Sequence, residues 1–341
     1  MEPVVFSVTT IEKSTQMCQD YKLLLVASLV FRYNKTRVYF FGRRINYMAM
    51  HVLENDYLKV MVADAGAELS SVYDKETATE RLWNADPAVW NRHAPILFPF
   101  VGRVFGGVYR IGDKEYTMKT QHGFARDKEF ECVEATETSV THRLVATEET
   151  KEIYPFDFEL LVTHSLDAEN PRLLRIDWEV KNNGDELMYY SIGGHPGFKI
   201  PDGEAKEDYY IEFPGRDDIK YISVNPANGF AAPDKEFDLE TENGFIKYND
   251  TIPDTWIFDY QNIETIRIAR PDKTPAITMN CGEFPFLAVW AKKTGTFICL
   301  EPWVGRTDDD GFTGTLEEKT GEDKLEAGAS KKISHTVEFH K

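Results

Sequence analysis

The sequence predicts an all-β protein folded as a large sandwich or barrel, and three observations support this prediction. Apolar and polar residues alternate with a period of two in several segments, which is typical of half-buried strands. Clusters of Asn, Gly, Asp and Pro separate these segments, as turns separate short strands. Helical signals are few, and no glycine-rich phosphate loop, internal repeat or long linker appears. The pattern therefore favours one large β domain.

The clearest strand prediction covers residues 174–180, where apolar residues alternate with charged ones. This segment ends at the turn sequence Asn-Asn-Gly-Asp, and a second strand is expected after it, over residues 187–192. Alternation or short apolar runs predict six further strands, at residues 58–63, 158–166, 264–269, 287–291, 297–300 and 333–339. Asp86 followed by Pro87 predicts a short turn that Asp86 caps.

The composition is typical of a globular protein, and it excludes some classes of binding partner. Of the 341 residues, 42% are apolar and 13% are aromatic, which is enough to bury a large core. Aromatic rings suit strands, and they also suit sugar sites, where ring faces stack on C–H groups. The net charge of −18 argues against nucleic acid and anionic membranes as partners, because both need basic patches. The four cysteines form no Cys-x-x-Cys pair, which argues against disulfides and a zinc site and favours the cytoplasm.

Residues 1–48 differ from the remainder and are predicted to lie outside the domain formed by residues 49–341. The first 49 residues hold seven Lys/Arg and three Asp/Glu, a net charge of +4, so the rest carries −22. The apolar run at residues 23–31 is shorter than the roughly 20 residues that span a bilayer. Basic residues follow it where a signal peptide would have a cleavage site. We expect translation to start at Met48 or Met50, and the preceding residues to make few contacts with the β domain.

Three residues are candidates for acid-base chemistry: His122, His195 and Glu301. Glycines accompany both histidines, and glycines let the backbone turn sharply at a strand end and project an imidazole into a cleft. Glu301 ends an apolar strand-like run, where an unpaired carboxylate is costly. Each of these residues alone also has a structural explanation, in a turn or in a buried ion pair. Their combination in an aromatic-rich β protein favours catalysis. No function is assigned to the other histidines considered, His93, His164 and His335.

These residues lie in motifs that resemble the aldose 1-epimerase family. The motifs are HGFAR at residues 122–126, GGHPGF at 193–198 and LEPW at 300–303. They are most similar to the bacterial branch related to galactose mutarotase and to hexose-6-phosphate mutarotases. Further similar segments are residues 92–99, 101–103 and 321–328. The resemblance covers residues 50–341.

The resemblance implies a galactose-mutarotase-like β-supersandwich of two large, mostly antiparallel sheets that binds a pyranose in an open cleft. By the same resemblance Glu301 is the general base, His195 is the general acid, and His122 is the second histidine, near the sugar ring oxygen. The implied activity is mutarotation, the interconversion of α and β anomers by ring opening and reclosure. It needs no metal, nucleotide or redox cofactor, because it consists of proton transfers.

The resemblance also implies residues that bind the substrate. Arg103 or Arg92 corresponds to the substrate-binding arginine, and Asp254 to the aspartate that binds sugar hydroxyls, with Asp259 as its rival. Arg126, close to His122 in sequence, suits a sugar phosphate, although a structural ion pair explains it equally well. Galactose-specific members have a longer glycine-rich stretch after the first histidine, whereas this chain continues with Phe-Ala-Arg, so galactose is not implied as the substrate.

Three other functions stay open. A non-catalytic carbohydrate-binding protein would not need the three side chains to converge. A metal-dependent isomerase or hydrolase would use ligands from four residues, His93, His122, His195 and Glu301. A glycosidase would need a second acidic residue roughly 5–9 Å from Glu301, for which Asp254 is the candidate. The expected partner is a small aldose or sugar phosphate, and the sequence is compatible with a monomer or a homodimer.

Overall fold

A computed structural model describes residues 39–40, 43–44, 49–248 and 255–341. The chain divides into two units, Met1–Tyr47 and Met48–Lys341. In the first unit, the described residues form two short antiparallel strands, β1 (Tyr39–Phe40) and β2 (Arg43–Arg44). All other described elements belong to the second unit. None of the described helices has the length and the apolar character needed to span a membrane.

The larger of two extended sheets contains nine strands, and each neighbouring pair is antiparallel. In spatial order these strands are β10 (Glu131–Ala135), β11 (Ser139–Val145), β12 (Phe158–Leu166), β13 (Leu173–Asn182), β27 (Ser330–Phe339), β23 (Pro275–Asn280), β22 (Thr265–Ala269), β17 (Tyr210–Glu212) and β20 (Phe245–Lys247). Strands β12 and β13 bury every second residue, because one face of the sheet covers the core and the other faces outward.

The second extended sheet contains eight antiparallel strands and carries the candidate site. Seven of them follow in the order β19 (Ala231–Asp238), β18 (Lys220–Val224), β21 (Thr255–Asp259), β24 (Phe286–Trp290), β25 (Phe297–Val304), β15 (Ile192–Gly194) and β7 (Ile96–Leu97), and β16 (Gly197–Lys199) also pairs with β25. All eight residues of β25 are buried, which is expected of a strand covered on both faces.

The remaining elements of the described part of this domain are smaller. They are a four-stranded sheet of β3 (Met50–Glu54), β4 (Leu58–Ala63), β5 (Leu69–Asp74) and β6 (Thr79–Glu80), the pairs β8 (Val108–Ile111) with β9 (Lys114–Thr117) and β14 (Met188–Tyr190) with β26 (Asp323–Leu325), and one helix, α1 (Glu148–Ile153). Thr147 caps α1, since its hydroxyl accepts a hydrogen bond from the Thr150 amide. Short 3₁₀ turns occur at Phe105–Gly107, Ala125–Asp127, Lys206–Asp208 and Leu316–Glu318.

The structure confirms the predicted all-β fold of large, antiparallel sheets. The predicted strands at residues 58–63 and 158–166 match β4 and β12 residue for residue. Two predictions need correction. The single strand expected over residues 187–192 is divided into β14 and β15, which belong to different sheets. The strand expected to end before Glu301 continues through it to Val304, because this segment pairs with β24 and β15.

Buried side chains from both extended sheets share one hydrophobic core. Trp178 of β13 and Trp256 of β21 are each 1% exposed and belong to it. Removing a large apolar side chain of this kind from water contributes on the order of 2 kcal/mol. The sheets approach closely at Gly194 in β15, where an added Cβ would lie 3.2 Å from the Trp178 ring. This close packing fixes the position of His195, the next residue along the chain.

Candidate functional site

Glu301 lies inside the buried strand β25, opposite Ala288 of β24. Its side chain is almost completely removed from solvent, with 1% of the residue exposed. Burial raises the pKa of the Glu301 carboxyl well above its ordinary value, because a charged carboxylate is poorly solvated there. Among the described residues, Oε2 accepts no hydrogen bond of ordinary geometry, although the nearby Trp303 side chain partly opposes the rise in pKa. At a given pH, the Glu301 carboxyl is therefore protonated to a greater extent than an ordinary glutamate side chain.

His195 follows β15 and provides the nearest titratable partner of Glu301. Its Nε2 lies 3.3 Å from Glu301 Oε1, and its backbone amide donates to the Pro95 carbonyl at 3.1 Å. Burial lowers the pKa of His195 to about 3, so the ring is neutral near pH 7. The sequence predicted that the glycines before this histidine turn the chain sharply, and this prediction is wrong. They lie in a strand, and Gly194 is needed because Trp178 packs against it.

His122 reaches the same place from a separate loop, and its ring centroid lies 5.7 Å from that of His195. Its backbone is left-handed, with φ of 65°, as is that of Gly123. The Gly102 amide donates to His122 Nδ1 at 3.0 Å, so the neutral ring carries its proton on Nε2. Burial, followed by the nearby side chains of His195 and two arginines, lowers the pKa of His122 well below its usual value. A neutral His122 therefore offers one N–H donor to the cleft.

Aromatic side chains surround His195. The Trp90 ring lies 4.9 Å from the imidazole, centroid to centroid, and the Trp290 ring lies 5.2 Å from it. Phe297 packs against both indoles, at 5.2 and 5.6 Å. Both indoles are partly exposed. Sequence reasoning did not single out these residues, and the aromatic surplus was the only signal of them.

The three candidate arginines differ in whether their guanidinium groups already have partners within the protein. Arg92 forms an ion pair with Asp127 and donates to the Arg126 carbonyl at 3.1 Å. Arg126 donates to the Gln121 carbonyl at 2.8 Å, and burial lowers its pKa. Arg103 is exposed, and within the described part of the chain its guanidinium forms no ion pair. Arg103 is therefore the arginine that is available to a ligand.

Of the two candidate aspartates, only Asp259 lies within the described residues, and Asp254 lies outside them. Asp259 ends β21 and pairs with Arg306 at 3.2 Å, and burial raises its pKa. A buried network continues from Arg306, which also pairs with Asp309.

A second buried carboxyl lies in the segment after β25. Glu322 accepts a hydrogen bond from Ser191, just before β15, and burial raises its pKa to about 7. Nearby, Lys319 pairs with Asp308 at 3.0 Å. These buried polar contacts connect the ends of β15 and β25 to the rest of the domain.

Within the described part of the chain, two groups of side chains have ligand types and spacing that could hold a metal ion. The first is His195, Cys299 and Glu301, whose ligand atoms lie within 4.8 Å of one another. The second, which sequence reasoning missed, contains His51, Asp64 and His142, and both rings contact Asp64 Oδ1, at 2.8 and 3.1 Å. His93 belongs to neither group, and its Nδ1 lies 2.7 Å from the Trp83 carbonyl oxygen.

A cavity of about 660 Å³ lies in another part of the domain, beside Arg81 and Arg270. None of the three candidate catalytic residues lines it. The guanidinium groups of both arginines are occupied by the His340 carbonyl, to which they donate at 2.8 and 3.1 Å. The three candidate catalytic residues therefore lie outside this cavity.

Sequence comparison matches residues 50–295 to the family described as Aldose 1-epimerase. Protein LacX, chromosomal, of Lactococcus lactis subsp. lactis is 32% identical over 283 residues, which are 78% of this chain and 91% of that protein. The plasmid form of LacX from the same organism is 31% identical over the same shares.

Structure comparison finds the same fold in solved proteins. A galactose mutarotase related enzyme from Lactobacillus acidophilus superimposes with a TM-score of 0.80 and 32% identity, covering 86% of this chain and 98% of that one. A galactose mutarotase-like protein from Lactobacillus casei gives a TM-score of 0.79 and 31% identity, over 86% and 100% of the two chains. Galactose 1-epimerase from L. acidophilus, at 14% identity, a TM-score of 0.66 and coverage of 91% and 97%, shares the fold.

Proposed function

Because the chain belongs to the aldose 1-epimerase family, we propose that it is a mutarotase that interconverts the α and β anomers of a pyranose. Glu301 and His195 are its acid-base pair, and His122 is its second histidine. The observation that carries this proposal is the 3.3 Å contact of Glu301 Oε1 with His195 Nε2 beside partly exposed indoles. An acid and a base this close act on one sugar without diffusing.

The reaction requires two proton transfers. A base removes the proton of the C1 hydroxyl while an acid delivers one to the ring oxygen, and the C1–O5 bond breaks to give the open-chain aldehyde. Rotation about C1–C2 presents the other face of the carbonyl. Ring closure then reverses both transfers, so that each group exchanges its function with the other. The sum of protons is unchanged, and no redox step occurs.

The free site holds the proton that this cycle needs. Burial raises the pKa of Glu301 and lowers that of His195, so burial favours a protonated carboxyl beside a neutral imidazole. Transfer of that one proton from Glu301 to His195 Nε2 produces carboxylate and imidazolium, the base and the acid required. Sugar hydroxyls that donate to the carboxylate stabilise this ionic form. The two groups titrate together, so the apparent pKa values belong to the pair.

The surrounding residues suit a sugar. Trp90 and Trp290 offer aromatic faces for C–H groups, and the N–H of neutral His122 can donate to a ring or hydroxyl oxygen. The exposed guanidinium of Arg103 is free to bind a hydroxyl or a phosphate. We therefore assign the substrate class as an aldopyranose or its phosphate.

Anomer exchange measures the proposed activity directly. Polarimetry and two-dimensional exchange NMR, applied to a panel of aldoses and their 6-phosphates, should show equilibration faster than the spontaneous rate for at least one sugar. Buffer alone and the Glu301→Gln variant are the controls. Exchange that survives prolonged dialysis against EDTA argues against a metal at His195, Cys299 and Glu301. If no sugar equilibrates faster but one binds in calorimetry, a non-catalytic carbohydrate-binding function replaces this proposal.

A further inference from the structure

His51, Asp64 and His142 form a cluster at the junction of two sheets, outside the candidate catalytic centre. His51 lies in β3, Asp64 follows directly after β4, and His142 lies in β11. Strands β3 and β4 belong to the four-stranded sheet, whereas β11 belongs to the nine-stranded sheet. We call these three residues the junction cluster. It shares no residue with the candidate catalytic centre.

Both imidazole rings of the junction cluster direct the same nitrogen at one carboxylate oxygen. His51 Nε2 lies 2.8 Å from Asp64 Oδ1, and His142 Nε2 lies 3.1 Å from it. Nitrogen and oxygen ligands bind Zn²⁺ at about 2.0–2.2 Å, which places the ligand atoms of a tetrahedral ion roughly 3.3 Å apart. The two contacts are only slightly shorter than this spacing. A small outward movement of the imidazoles therefore makes room for an ion.

Hydrogen bonds alone use this carboxylate unevenly. Asp64 Oδ1 takes both histidine contacts, whereas Oδ2 has no partner within the described part of the chain. His142 Nδ1 also has no partner there, so this completely buried histidine reaches a polar group only through Nε2. Burial lowers the pKa of His142, which favours the neutral imidazole that metal ions bind. The arrangement therefore suits metal ligands better than an ion pair of Asp64 with a charged His142.

The surrounding contacts hold two of the three ligands in place. The Asp64 amide donates to the Ala49 carbonyl at 3.0 Å, and the Asp64 carbonyl accepts from the Phe130 amide at 2.8 Å. His51 Nδ1 lies 3.8 Å from Cys132 Sγ. Metal-bound histidines usually donate their second ring N–H to a neighbouring group. Because Cys132 contacts Nδ1 and not Nε2, it orients the His51 ring and contributes no ligand.

The junction cluster is open to solvent on one side. The side chains of His51 and Asp64 are 24% and 17% exposed, whereas that of His142 is 0% exposed and forms the base. An ion can therefore enter from the surface, and water can complete its coordination beside three protein ligands. Two imidazoles and one carboxylate favour a transition-metal ion over Mg²⁺ or Ca²⁺, which prefer oxygen ligands.

We propose that His51, Asp64 and His142 form a binding site for a divalent transition-metal ion of the Zn²⁺ type. The bound ion connects β3 and β4 to β11, and so it acts as a clamp between the two sheets. An ion that binds the folded chain in preference to the unfolded chain stabilises the fold. The site goes beyond the proposed mutarotase function and does not depend on it.

Metal titration of the full chain, after dialysis against EDTA, tests the site directly. Calorimetry should show Zn²⁺ binding, and Co²⁺ should give the visible absorption bands of a tetrahedral ion. The junction cluster supplies no sulfur ligand, so its Co²⁺ complex should lack a near-ultraviolet thiolate band. The second metal-ligand group, which contains Cys299, should produce that band. Absence of Zn²⁺ binding overturns the proposal, as does binding that Cys299→Ser abolishes completely.

Asp64→Asn is the sharpest variant, because its amide can still hydrogen-bond the imidazoles but is a much weaker metal ligand than a carboxylate. Changes to outer-shell groups already cost about 10–100-fold in metal affinity, so loss of a direct ligand should weaken Zn²⁺ binding by about 10²-fold or more. The increase in melting temperature that Zn²⁺ causes in the wild type should also be lost. Unchanged Zn²⁺ affinity in Asp64→Asn would show that the cluster is only hydrogen-bonded, and would overturn the proposal.

Two control variants and a second ligand variant complete the test. Cys132→Ser keeps a hydrogen-bonding group beside His51, and His340→Gln alters a histidine that lies 3.8 Å from another carboxylate, that of Glu338. Both should bind Zn²⁺ as the wild type does. His51→Gln changes a partly exposed ligand and replaces Asp64→Asn if that variant does not fold. Equal Zn²⁺ affinity in His51→Gln and the two controls would contradict the proposed site.

Discussion

Replacing Glu301 by Gln removes the proposed base while keeping the shape of the side chain. The Gln amide can still form a hydrogen bond with His195 Nε2, which lies 3.3 Å from Glu301 Oε1, so the histidine should keep its position. A positioned proton-transfer group contributes at least about 10²-fold to a rate. We therefore expect the enzyme-dependent rate of anomer exchange to fall by about 10²-fold or more, equivalent to roughly 2.7 kcal/mol in the barrier.

Stability distinguishes this loss of chemistry from a loss of structure. The folded-state pKa of Glu301 is raised, so the folded protein binds its proton more tightly than the unfolded chain does. This group favours folding below its unfolded pKa, and that contribution is lost as pH rises towards the folded value. The neutral amide has no such dependence. Relative to wild type, Glu301→Gln should therefore gain stability as pH rises above the ordinary carboxyl pKa of 4.5, as thermal unfolding at several pH values would show.

The assay is polarimetry on a freshly dissolved anomer, at several protein concentrations, with affinity for the same sugar measured by calorimetry. Sugar binding should weaken far less than turnover, because an amide still bonds a hydroxyl. Glu322→Gln is the matched control: this carboxyl is also buried with a raised pKa, but it bonds Ser191. Near-normal exchange by a folded Glu301→Gln protein would refute Glu301 as the base. A comparable loss of exchange in the folded Glu322→Gln control would show that the assay responds to any buried charge change.

Three further predictions concern binding, the backbone and the chain start. Arg103→Ala should raise KM and leave kcat nearly unchanged in initial-rate measurements, because its contact with substrate exists in the ground and transition states alike; an equal fall in kcat would contradict this. Gly123→Ala should lower the free energy of unfolding by more than Gly106→Ala does. Both glycines have positive φ, but only at Gly123 would the new Cβ collide with the Phe98 carbonyl; equal losses would show that the collision adds nothing. A chain started at Met48 should melt within a few degrees of the full chain, and a large loss of stability would contradict the sequence-based domain boundary.

The sequence alone was sufficient for the fold class and for the candidate residues. Strands β12 and β13 were predictable because alternation is a local property, imposed by a sheet with one buried face. The motifs around His122, His195 and Glu301 supported the family, which the comparisons then showed. Their proposed functions in catalysis stay predictions.

Other features depended on tertiary structure. Glu301 was expected at a strand end but lies inside β25, because pairing with neighbouring strands extends beyond the local pattern. The choice of Arg103 over Arg92 required seeing that Asp127 already pairs with Arg92. Neither fact is contained in the spacing of residues along the chain.

The clearest case is the pair of histidines to which the sequence assigned no function. His164 and His335 looked like ordinary residues on apolar strand faces, and no local signal distinguishes them. Only the register of β12, β13 and β27 places both on the sheet face that carries Trp178, and only the packing of the second sheet brings His195 to the small cavity that these side chains line. Periodicity determines which face of a strand a side chain occupies. The partner that it meets there is decided by how distant strands pair and how the sheets pack.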